Sequence, residues 1–413
     1  MSIQTRIYAS GALAFGEDAA INNLLAAKYS AIIVWSVHVA TTGDLYLNDT
    51  LFVSKGIYAE SATMNLPARL AQLKKAGMQI IFSVGAGGTP DFTAIQALEK
   101  GTVPTKGNPL YDNFKALKDA MKNAGGDIDA VDFDNEDKMD TKTMVNFGIM
   151  LGNIGYSSVT FCPYDEQPGQ VWTDTYKQLL AAKGNGFVSA IHLQCYSGGG
   201  GNDPQPWAQI ISNGNTLLIP GLATSQAKPG PWWDEDTDQP GGSVVKTKSV
   251  AMYGHGDWSG LLRVGNYPSA DIAMQRYIKG GGIYGGETFF FYCNGFLNLG
   301  PGKQFVPGDA VYFSGRPWWG SAPQCDGYSL SGGCSNIWDP PIPYPPSTKG
   351  SCPADLQSQY ATWKKGKLPV NGGFIWTYDS IVQCLLSECC GETGQDVAKI
   401  ATDYKQAIIN GLS

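Results

Sequence analysis

Asp132, Asp134 and Glu136 alternate within the stretch DIDAVDFDNED, residues 127–137. Read as a strand, the stretch sets these three carboxyls on one face and Val131, Phe133 and Asn135 on the other, because side chains alternate with period two. A buried ionised carboxylate is strongly penalised without a partner, so a row of three asks for a reason. A calcium loop of the EF-hand order needs Gly at its sixth position and Glu at its twelfth, and no register of the stretch supplies both. An acidic edge strand is a second way to place charge, but Ala130, Val131 and Phe133 make the opposite face apolar and in want of a helix. The remaining chemistry is proton transfer by acids at the carboxyl end of a strand, each tuning its neighbour's proton affinity, with Glu136 as the donor. Asp129 falls out of parity with the three and is expected to fix the start of the strand by hydrogen bonding.

Such a row needs a scaffold that presents strand ends to a ligand. From the N-terminus, short apolar runs alternate with helical patterns, the mark of βα units and a parallel sheet. Strands are expected at Arg6 to Ala9, Ala31 to Val39 and Met78 to Val84, with the acidic stretch as the fourth. Ser158 to Pro163, Val188 to Tyr196 and Leu217 to Leu222 continue the series. Gln194 and Tyr196 share one face of the sixth strand. His192 lies on that face too and reads as a core histidine, since metal binding would need more ligands than stand near it. Residues 225–352 break the alternation with dense Gly, Pro, Trp and Cys. The pattern resumes with a helix over Ala354 to Lys364 and the run GGFIWTYDS (372–380), whose Phe374 to Thr377 is the expected eighth strand. A competing assignment gives that place to Thr288 to Tyr292 and leaves the rest as an appended domain.

DAVDFDNE (129–136) resembles the D-G-x-D-x-D-x-E signature of glycoside hydrolase family 18, the family of chitinases and endo-β-N-acetylglucosaminidases, with Ala130 in place of the usual Gly. SVGAGG (83–88) is similar to the family's S-x-G-G, matching Ser83 and Gly85 and carrying Ala86 for the second Gly. LQCYS (193–197) looks like its Q-x-Y pair, and Trp376 fits the Trp that ends its last strand. The resemblance implies an α/β fold, a (β/α)8 TIM barrel with active-site residues at the carboxyl ends of the strands. The chain is then a single catalytic domain, 1–413, with 225–352 inserted between strands seven and eight to wall a sugar cleft.

The resemblance also implies a retaining, substrate-assisted hydrolysis of β-1,4-linked N-acetylglucosamine polymers, in which the substrate's 2-acetamido oxygen attacks C1 and no protein nucleophile is used. Glu136 protonates the leaving oxygen and then deprotonates water. Asp134 orients the acetamido group, Tyr196 donates to its oxygen, and Trp376 floors the sugar. Asp132 and Asp134 are expected to share a proton, so that Glu136 keeps its own. Gln194, Tyr164 and Asp165 are expected substrate contacts, Ser83 an anchor for Asp132, and Gly85 a point of close backbone approach. An endo-β-N-acetylglucosaminidase acting on N-glycans and a chitin-binding lectin are the alternatives; the intact Glu136 counts against the lectin.

The chain as a whole fits a neutral ligand. Its formal charge is −7, and its 29 basic residues form no cluster, which disfavours nucleic acid. No cofactor or metal is expected, no apolar run is long enough to span a membrane, and a monomer is the expected state. Seven of the nine cysteines follow residue 290, suggesting local disulfides and a secreted or extracellular destination, while Cys162 and Cys195 are expected to be free. Against export, MSIQTRIYAS has no apolar segment of leader length.

Overall fold

The computed structural model describes residues 2–224 apart from 15–17, 49, 61, 62, 64, 197, 198 and 212–214, then three backbone strands within 251–314, and residues 350–384 and 396–413. Eight parallel strands organise it: β1 (Gln4–Ala9), β2 (Ala31–Val39), β3 (Gln79–Val84), β4 (Ala130–Phe133), β5 (Ser158–Phe161), β6 (Val188–Ile191), β7, broken into Leu217–Leu218 and Gly221–Ala223, and β8 (Gly372–Trp376). Each of β1 to β6 pairs with the next. The first piece of β7 pairs with β6, its second piece with β8, and β8 with β1. Because the two pieces flank Pro220 in one continuous run, the pairing returns to its start as a ring.

Local chemistry makes these elements where they are. Every residue of β2, AIIVWSVHV, is buried, as a strand covered on both faces requires. Helix Pro109–Asn123 begins with Pro in its first turn and Asn108 accepting from the Leu110 amide, and it buries Leu110, Phe114, Leu117 and Met121. Helix Thr141–Ile154 is capped by Asp140 on the Thr143 amide and ends on Gly155 in the left-handed region. The apolar side of β4 meets that helix as expected: Phe133 stacks on Phe147 at 5.2 Å between ring centroids, and Phe92 packs edge-on against both.

Thr288–Tyr292 is a strand, but it pairs antiparallel with Ala251–Gly254 and Ala310–Ser314 in a separate three-stranded sheet. The eighth barrel strand is therefore Gly372–Trp376. The side chains of every cysteine beyond residue 290 except Cys352 lie outside the described residues, and with them the expected disulfides. Cys162 and Cys195 are buried and free. Features beyond the sequence reading include helix Asp91–Glu99 after β3, helix Pro204–Ile210, and a meander of Leu45–Leu47, Thr50–Ser54 and Ile57–Tyr58 running on from β2. Among the described residues no helix is long and apolar enough to cross a membrane.

Helix Asp91–Glu99 ends on a buried acid. Glu99 accepts from Asn146 at 3.3 Å, its second oxygen has no partner among the described residues, and burial pushes its carboxyl up to about 8 from an ordinary 4.5. The folded chain thus holds a proton that the unfolded chain releases, and this site's contribution to stability falls as pH rises through that window. Glu99→Gln is expected to raise the melting temperature at about pH 8 by roughly 2–4 °C and to give no gain at about pH 4, as thermal melts at the two pH values will show.

Candidate active site

The regular strand β4 stops at Phe133, one residue short of Asp134. The ladder runs on by single bonds, the Asp134 amide to the Val84 carbonyl and the Cys162 amide to the Phe133 carbonyl, each 2.9 Å. Glu136 is then carried on a turn built by Asn135, whose side chain accepts from the Asp137 and Lys138 amides and donates to the Lys138 carbonyl at 2.8 Å. Asp137 accepts from the Phe92 and Thr93 amides, at the helix end where a carboxylate is favoured. Asp129 does hold the start of the strand, accepting from the Ile80 amide at 2.7 Å and from the Lys74 ammonium.

Asp132 sits on the barrel axis, wholly buried. The register places Ser83 of β3 and Thr160 of β5 directly beside it. Oδ2 accepts from Ser83 at 2.9 Å and from the Tyr8 hydroxyl at 2.8 Å, while Oδ1 accepts from Thr160 at 2.5 Å and from His192 Nδ1 at 2.8 Å. The expected Ser83 anchor is thus present with three further donors. The far nitrogen of His192, Nε2, lies 2.6 Å from an Arg6 guanidinium nitrogen. Arginine can only donate, so Nε2 must accept, and the ring proton belongs on Nδ1, facing Asp132. Burial alone would push Asp132 up; the His192 contact and the hydroxyl donors outweigh it and hold the carboxyl below its ordinary value. Burial lowers His192 in turn and keeps it neutral.

Asp134 meets the opposite fate. Burial, then the charges of Glu136 and Asp132, raise its proton affinity far above the usual carboxylate range. Gln194 donates through one nitrogen to Asp134 at 3.1 Å and to Glu136 at 3.0 Å, and Trp35 Nε1 donates to the other Asp134 oxygen at 2.9 Å. Glu136 is raised mainly by burial, with Asp165 adding to it and the Gln194 and Asp134 hydrogen bonds opposing. The proton expected between Asp132 and Asp134 therefore belongs to Asp134 and Glu136. The reason is capacity: a carboxylate offers about four lone-pair directions, and those of Asp132 are taken.

An aromatic floor lies beside the pair. Tyr196 stacks on Trp376 with centroids 5.3 Å apart and planes inclined by 20°, and Tyr8 and Trp35 pack against the same indole at 5.2 and 4.8 Å. Trp376 Nε1 is buried without a partner among the described residues. Asp165 is steered by Trp172 Nε1 at 2.8 Å; Tyr164, partly exposed, has its hydroxyl raised by burial and by the Asp165 and Glu136 charges, which places both residues on the Glu136 side. Every site residue read from the sequence except Asp129 gathers at this end of the barrel.

The glycines have geometric work here. Gly85 has φ +102°, and a Cβ on it would stand 2.2 Å from the Asp134 carbonyl oxygen; one on Gly87 would stand 3.0 Å from Glu136 Oε2. Sequence reasoning missed Tyr8, Trp35, Thr160 and the Arg6–His192 contact. A signal for Tyr8 existed, since it lies near the carboxyl end of its strand, as Ser83 does; Trp35 stands at the middle of β2 and gave none. A second buried chain, Ser36 Oγ to His38 Nε2 at 2.7 Å and His38 Nδ1 to Asp91 at 3.0 Å, has the order of a hydrolase triad. All three are sealed from solvent, and Asp91 also accepts from the Val39 amide, so the chain fastens helix Asp91–Glu99 to β2. Among the described residues no group of three His, Cys, Asp or Glu could hold a metal ion.

No protein-family model matches the chain, and no curated protein does. Solved structures do. A family 18 chitinase from Pseudoalteromonas aurantia matches at 16% identity and TM-score 0.38, covering 54% of this chain and 81% of its own. A fungal family 18 endo-β-N-acetylglucosaminidase matches at 18% and 0.37, covering 54% and 78%. A plant class V chitinase mutant from Cycas revoluta, in complex with (GlcNAc)3, matches at 10% and 0.45, covering 97% and 99%. What the acids can do follows from their own geometry.

Gly77 offers a control for Gly85, because it too has positive φ, +90°, yet nothing lies within 4 Å of a Cβ there. Gly85→Ala is expected to cost at least about 2 kcal/mol more than Gly77→Ala in denaturant melts; equal losses would mean that the Asp134 carbonyl moves aside freely.

Proposed function

We propose that this chain is a glycoside hydrolase cleaving β-1,4-linked N-acetylglucosamine polymers, chitin or its oligosaccharides, with retention through an oxazolinium intermediate. One observation carries the reading: two buried carboxyls of raised proton affinity, Asp134 and Glu136, joined by Gln194 beside a Tyr196–Trp376 floor. Glu136 is the less buried of the two, and burial raises its proton affinity above the ordinary glutamate range, the direction a general acid needs. It protonates the departing glycosidic oxygen and later takes a proton from water.

Asp134 is poorly suited to attack carbon. Its two oxygens accept from Trp35 and Gln194, and its own proton affinity is high, so it serves better as a partner for an acetamido N–H. That supports a nucleophile supplied by the substrate, the exception to the usual pair of carboxyls ~5–5.5 Å apart. Tyr196 lies over Trp376, where its hydroxyl can reach an acetamido oxygen and the indole can face a sugar ring.

Glu136→Gln is expected to keep oligosaccharide binding while losing hydrolysis by about 10²–10⁴-fold, read from product release beside a binding isotherm. Turnover at the wild-type rate removes Glu136 from the role. Dependence on the acetyl group gives an independent check: N-acetylated oligomers should be cut and their deacetylated counterparts left whole, with mass spectrometry following both beside a glycoprotein substrate.

A further inference from the structure

The chain Arg6–His192–Asp132 has no part in the proposed proton transfer, yet it is built with care. Arg6 stands on β1, two residues before Tyr8, and is almost fully buried. Its guanidinium lies between His192 and a cavity of about 410 Å³ at the amino ends of the strands, lined by Gln4, Gln79, Ser158 and Asn215 among others. A buried cation is as costly as a buried anion unless the two are linked. His192 makes the link, because an imidazole that accepts on one nitrogen must donate from the other.

We propose that Arg6 and His192 are positioning residues for the acid pair: neutral His192 connects the Arg6 charge to Asp132, fixes that carboxylate as an anion, and thereby keeps the mobile proton on Asp134 and Glu136. The groups facing Asp132 are Tyr8 from β1, Ser83 from β3, Thr160 and Cys162 from β5 and the residue after it, His192 beyond β6, and the Asp134 and Glu136 carboxyls on its own segment. Of these, His192 alone touches a cation among the described residues. Without it Asp132 can take up a proton at moderately acid pH, its repulsion of Asp134 disappears, and the pair loses the proton the reaction needs. The catalytic consequence rests on the function proposed above; the protonation state of His192 does not.

Nitrogen-15 spectra of the histidine rings in the whole wild-type chain test the relay without any substrate. His192 should show a protonated Nδ1 and a bare Nε2, unchanged from about pH 5 to pH 8; an imidazolium in that range overturns the proposal. In Arg6→Met the same ring should gain a proton within the range. With chitin oligomers, His192→Phe is expected to move the acidic limb of the kcat/KM profile up by about one pH unit, and adding Arg6→Met to it to move the limb no further; Arg6→Met alone should leave the limb near that of wild type, because the proton gained by the ring keeps a charge beside Asp132. His192→Gln, whose amide can accept from Arg6 and donate to Asp132, should restore the wild-type limb. A His192→Phe profile that superposes on wild type while only the melting temperature falls would make the relay merely structural. If the wild-type chain cuts no N-acetylglucosamine polymer, the proposed function fails while the spectra still decide the relay, and should His192→Phe not fold, the spectra of wild type and Arg6→Met decide it.

Discussion

An anion without access to water sits at the centre of this barrel, and the structure around it is arranged to make that tolerable. The Asp132 carboxylate gathers donors from β1, β3, β5 and the segment after β6. In low dielectric an uncompensated charge there would cost several kcal/mol. No single neighbouring strand could supply so many donors. Ring closure can, because it points side chains from strands far apart in sequence at one axis, and Tyr8 reaches Asp132 across 124 positions of chain. The anion and the closed ring therefore require each other.

From that charge the properties of the mouth follow. Burial, with the Glu136 charge and the fixed negative group beneath Asp134 adding to it, raises the proton affinity of that next carboxyl outward. Gln194 ties Asp134 to Glu136 so that the proton is held between two groups of unequal exposure. Glycine at 85 lets the loop after β3 rest directly on the Asp134 backbone, where any side chain would force the two apart. Two of the aromatic residues serve twice: Tyr8 and Trp35 pack against the Trp376 indole while donating to Asp132 and Asp134. The same contacts that make the floor thus also set the electrostatics above it.

Farther out, polar residues of the acidic stretch that face away from the mouth hold the scaffold still. Asp129 fastens the start of β4 to β3, Asn135 shapes the turn, and Asp137 meets the start of helix Asp91–Glu99. Asp91 in the first turn of that helix is clasped by His38 and the Val39 amide. The turn carrying Glu136 is consequently braced from the strand below it and from the helix beside it.

The sequence by itself determined the parallel α/β ring, the acidic row and its parity, the glycines that follow β3, the Gln194–Tyr196 pair and the eighth strand at Trp376. The strands, the row and its parity were legible because period-two alternation, apolar runs and turn residues are local properties, written within a few positions of where they act; ring closure and the choice of Trp376 rested on the family resemblance. Tertiary structure alone decided which carboxyl holds the proton. Asp132 and Asp134 look alike in sequence, each flanked by Phe133, and the sequence reading let them share one. They differ because Thr160, Tyr8 and His192 arrive from other strands to saturate the first, whereas Trp35 and Gln194 leave the second beside Glu136. Proton affinity depends on what lies within a few ångströms in space, and along the chain those neighbours are tens to more than a hundred residues away.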